Sequence, residues 1–145
     1  MKSRTLSATA LILLTPLVVL AFQVQAENVR KFDLKSKPFI TGPLKITLIE
    51  FYGATAISAK AAISIEVENT SDDFTTFDPG RLSFINKDNY QVDILGITDG
   101  TSVVEVGDKR IGPKARIKHL YVLTDRVQLP ARLYYEDKLL ATIIY

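Results

Sequence analysis

Apolar and polar residues alternate with a period of two through most of this chain. Leu44, Ile46 and Leu48 interleave with Lys45 and Thr47, and the apolar run continues to Phe51 before Gly53. Between Ala61 and Asn69, Ile63, Ile65 and Val67 alternate with Ser64, Glu66 and Glu68. In extended backbone, successive side chains point to opposite faces, so this pattern buries the β-branched set and leaves the carboxylates in water. Leu82, Phe84 and Ile85 are followed, across Asn86-Lys87-Asp88-Asn89, by Tyr90, Val92 and Ile94, which predicts a hairpin. From Arg116 to Thr124 both phases are apolar, which predicts a central strand or one covered on its outer side. Ala131–Tyr135 and Leu139–Tyr145 predict a closing hairpin across Glu136-Asp137-Lys138.

Shorter signals fill the intervals. Phe74–Phe77 and Val103–Val106 read as brief strands. Asn69-Thr70-Ser71-Asp72-Asp73 and Asp78-Pro79-Gly80 read as turns, built from side chains that bond their own backbone and from Pro and Gly. Ala54–Ala62, Gly96–Thr101 and Gly107–Pro113 read as connections. Residues 27–43 form an extended lead-in with an edge strand around Val29–Leu34. The total is about eight short strands at roughly 8–12-residue spacing, with no helix, as in an antiparallel sandwich or small barrel. One domain, residues 44–145, is expected.

The amino terminus departs from this pattern. Lys2 and Arg4 precede an apolar run from Leu6 to Phe22, and Val24-Gln25-Ala26 supplies small residues where a signal peptidase reads. The run is short for a membrane span of roughly 20 residues. A secretory signal, residues 1–26, cleaved after Ala26, is therefore expected, with an uncleaved anchor as the alternative. It leads to the periplasm or the outside of the cell. Of 18 Lys plus Arg, two lie in this segment, leaving 16 against 16 Asp plus Glu. That neutrality argues against nucleic acid, which calls for a basic face. Lys109, Arg110, Lys114, Arg116 and Lys118 are a local basic set, read as solvated turn and strand residues. There is no Cys, so stability rests on apolar burial and backbone pairing, and a lipoprotein, which carries Cys after its cleavage site, is excluded.

The run Val67-Glu68-Asn69-Thr70-Ser71-Asp72, the turn at Asp78, Leu82-Ser83-Phe84-Ile85-Asn86-Lys87-Asp88 with Tyr90, and then Ile111-Gly112-Pro113-Lys114, Ile117–Leu123 and Leu133-Tyr134-Tyr135 together resemble the small exported immunoglobulin-like domains of bacteria. The likeness covers Leu44 to Tyr145; Lys114 stands after Pro113 where the family places glycine. It implies an all-β, antiparallel immunoglobulin-like β-sandwich of about 7–9 strands that serves as a binding or accessory module. It brings no catalytic residues and no cofactor.

Candidate chemistry is sparse. His119 is the single histidine, and no Gly-x-Ser-x-Gly elbow accompanies it. A small secreted hydrolase would need His119 beside a carboxylate and a hydroxyl; the plainer reading is a half-buried strand residue. One His without Cys falls short of a zinc site. Asp72, Asp73 and Asp78 are a weak calcium set without EF-hand spacing, read instead as turn formers, like Asp99, Glu105 and Asp108. Asn69-Thr70-Ser71 fits a glycosylation sequon. Six tyrosines, Tyr52, Tyr90, Tyr121, Tyr134, Tyr135 and Tyr145, combine area with a polar tip. Tyr134 and Tyr135 must point to opposite faces, so one is core and the other, with Arg132, forms the expected partner surface. The alternation Leu139, Ala141, Ile143, Tyr145 also resembles the closing strand of an outer-membrane barrel, which needs longer strands than these. The expected partner is another envelope or extracellular protein, and a structural subunit of an envelope assembly is the remaining alternative.

Overall fold

A computed structural model describes residues 31–33 (backbone), 36–53 and 60–144. The expected signal segment, residues 54–59 of the expected connection, and Tyr145 lie outside them. The described chain is all-β and antiparallel, with one short 3-10 turn at Pro79–Arg81. Its strands are β1 (Lys31–Asp33), β2 (Phe39–Thr41), β3 (Leu44–Tyr52), β4 (Ala62–Asn69), β5 (Thr75–Phe77), β6 (Leu82–Ile85), β7 (Gln91–Thr98), β8 (Val103–Val104), β9 (Lys109–Ile111), β10 (Arg116–Leu123), β11 (Ala131–Tyr135) and β12 (Lys138–Ile143).

Eight of these follow one hydrogen-bonded path, β1-β3-β4-β10-β7-β6-β11-β12; β2 also pairs with β3, and β8 with β7. The path turns within β7. Gln91–Asp93 pair with β6, whereas Ile94–Thr98 pair with β10, and Leu95 is the extra residue of a bulge. Bulges bend a strand and raise its twist. β4, β10 and β7 separate β3 from β6 in the path, yet the rings of Phe51 and Phe84 lie 6.3 Å apart. The sheet has therefore folded over on itself, and both halves fill one core.

The apolar phase read from sequence is the buried one, but the polar phase is not wholly in water: Thr47 and Ser64 are buried as well, at 9% and 3% exposure. Ile63, Ile65 and Val67 lie in the core, while Glu66 keeps contact with water. On β3, Leu44, Ile46 and Leu48 are buried, and a bulge at Ile49 shifts the phase so that Phe51 is buried as well. The bulge explains the apolar run that simple alternation left unexplained. Burying each such side chain contributes about 1.5–3 kcal/mol. Charges on the outer face pair across strands: Lys45 Nζ sits 3.0 Å from Glu68, and Arg116 lies 3.5 Å from Glu68 and 3.9 Å from Glu66.

Three expectations need correction. The stretch expected as a lead-in contains β2, which pairs with β3 through a two-residue turn at Gly42-Pro43, where Gly42 has φ +54°. The connection expected at Gly96–Thr101 begins only after Thr98, because β7 runs through Gly96. Glycine suits a strand where another backbone approaches closely, and a Cβ on Gly96 would stand 2.4 Å from the Val104 carbonyl oxygen. The turn expected at Gly107–Pro113 holds β9, which pairs with β5 in a separate ribbon.

Candidate functional site

β11 is positioned by neighbours on both edges. β6 pairs with it from Leu82 to Ile85, and β12 pairs with it through the tight turn at Glu136-Asp137, where Glu136 has φ +57°. Ala131, Leu133 and Tyr135 point into the core, so Arg132 and Tyr134 point outward. The tyrosine pair is thereby resolved. Tyr135 is 4% exposed and stacks on Phe77 at 5.5 Å between centroids. Burial raises its pKa. Tyr135 is therefore removed from the expected partner surface: its phase on β11 aims it inward, where Phe77 of the β5–β9 ribbon covers it. Tyr134 is half-buried, and Arg132 is exposed.

The outer face around these two is ordered by register. One row reads Thr142, Arg132, Ile85, Gln91 across four strands; the next reads Leu139, Tyr134, Ser83, Asp93. Gln91 donates to Asp93 at 2.7 Å. The Arg132 guanidinium donates to Asn89 Oδ1 at 3.0 Å, which ties it to the β6–β7 turn. That turn is set by Asn86, whose side-chain oxygen accepts from the Asp88 and Tyr90 amides, each at 3.1 Å. Tyr90 in that turn is 71% exposed, and Leu139, the β12 partner of Tyr134, is 49% exposed. Arginine, tyrosine and aliphatic area on one sheet face form a surface of the composition that protein partners select.

The other residues singled out in the sequence do not converge. His119 lies on the inner phase of β10, half-buried, with its ring 6.0 Å from that of Tyr121 in an edge contact. It makes no side-chain hydrogen bond among the described residues, and burial, followed by the charge of Lys109, lowers its pKa. Asp78 closes its own turn, accepting from the Gly80 amide at 2.8 Å and from Arg81 Nε at 3.2 Å. Asp72 lies 3.4 Å from Lys114 at the surface, and Asp73 is exposed with its backbone carbonyl engaged. Among the described residues, no three His, Cys, Asp or Glu side chains gather to hold a metal ion. Asp99 accepts from the Thr101 amide and hydroxyl and from the Ser102 amide, which lowers its pKa to about 2. The local basic set is dispersed: Lys114 meets Asp72 and the Thr70 carbonyl, Arg116 meets Glu66 and Glu68, and Arg110 lies 4.0 Å over the Phe74 ring.

Asn69 is the residue whose role sequence reasoning missed. It is 0% exposed. Its side-chain nitrogen donates to the carbonyls of Asp73 at 2.7 Å, Gly112 at 2.9 Å and Ile111 at 3.3 Å. Its side-chain oxygen accepts from the Ser71 amide at 3.0 Å and hydroxyl at 2.8 Å. An amide so enclosed is closed to glycosylation in the folded chain. The legible signal was the Asn-x-Ser turn pattern alone; two of its three carbonyl partners come from more than forty residues away.

No family model matches this chain, and no curated protein matches it. Among solved structures it is similar to a functionally unknown protein from Listeria monocytogenes EGD-e, with a TM-score of 0.54 and 10% identity over 72% of this chain and 71% of that one. The likeness shows a shared fold.

Proposed function

We propose that this chain is an exported, non-catalytic binding module with an immunoglobulin-like sandwich, and that it meets an envelope or extracellular protein through the outer face of β11. The observation that carries the reading is the pairing of exposed Arg132 with half-buried Tyr134 on one sheet face, flanked by Leu139. The finer fold is supported by β7, which passes from one ladder to the other and closes two layers over a common core. Export is supported by the basic, apolar and small-residue order of residues 1–26. A hydrolase would rest on His119, whose neighbour is the Tyr121 ring rather than a carboxylate and hydroxyl.

The test is affinity capture from the native envelope, with the full chain expressed behind its own leader. Wild type is expected to retain a defined protein that the Arg132→Ala/Tyr134→Ala double variant loses by at least about tenfold, or about 1.4 kcal/mol. His119→Ala should retain it. Equal capture by the double variant, with its fold verified by circular dichroism, overturns the assignment of this face. A product found in the cytosol with its leader intact overturns export.

A further inference from the structure

We draw no further inference here: the strongest candidate, the outward edge of β12 with exposed Ile144 beside it, carries nothing because nothing in the structure shows what covers it.

Discussion

At the scale of single residues, two buried polar groups behave in opposite ways. Asn69 is satisfied on every side and joins the end of β4 to the segment before β10. Asn69→Ala strands three carbonyls and an amide in or near the core, and an unmet buried group costs about 1–3 kcal/mol. The expected loss is about 3 kcal/mol, read as a lower urea midpoint at unchanged m-value; Thr70→Ala, at an exposed bond, should lose far less. Tyr121 is 0% exposed, and its hydroxyl has no partner among the described residues. Burial pushes its pKa well above the usual tyrosine range. Tyr121→Phe removes the unmet hydroxyl and keeps the ring, so stability should hold or rise by up to about 1 kcal/mol. A clear loss would mean that the hydroxyl is satisfied in solution.

His119 supplies a pH dependence with a definite sign. Its folded pKa lies below the ordinary 6.5, because burial and then Lys109 disfavour the imidazolium. Between the two values the unfolded chain binds more protons, so stability rises with pH there. The destabilisation is absent above 6.5, grows as pH falls through 6.5, and levels off below the folded pKa. Urea midpoints measured from about pH 8 to pH 5 should fall less steeply for His119→Gln than for wild type. Parallel curves would remove His119 from the account.

At the scale of elements, Gly96 decides how β7 and β8 meet. A side chain there meets backbone, which cannot swing aside, at the Val104 carbonyl oxygen 2.4 Å away, and the Val103 side chain, with Cγ1 at 2.8 Å. Gly96→Ala should cost about 1–3 kcal/mol through overpacking. Gly107→Ala, where an added Cβ finds no atom within 4 Å, is the control and should change stability by no more than about 0.5 kcal/mol. Thermal melts of the two variants settle the comparison, and equal midpoints would sink it. The turn before β10 follows the same logic in reverse. Lys114 holds φ +56°, a conformation glycine adopts more readily, and its ammonium reaches the Thr70 carbonyl at 2.6 Å.

At the scale of the whole molecule, the fold rests on contacts far apart in sequence. Phe51 and Phe84 meet across the core, and β10 is held between β4 and β7. No disulfide contributes, since the chain has no Cys. Unfolding should therefore be indifferent to reductant, and far-ultraviolet circular dichroism should show strand with almost no helix. If export proceeds as proposed, the mass of the envelope-fraction protein corresponds to a chain beginning at Glu27; a full-length mass there would indicate an uncleaved anchor.

Periodicity by itself determined that the chain is all-β, and that the apolar phases of β3 and β4 avoid water. Alternation is local, and each strand carries its own record of it. It equally determined that Tyr134 and Tyr135 part company, though not which one turns inward. That choice, the strand role of Gly96, the existence of β9 and the burial of Asn69 were decided by tertiary structure. Each depends on a partner brought from a distant segment: Phe77, Val104, β5, and the carbonyls of Ile111 and Gly112. Register between remote strands is a property of the assembled sheet, and no short window of sequence contains both of its members.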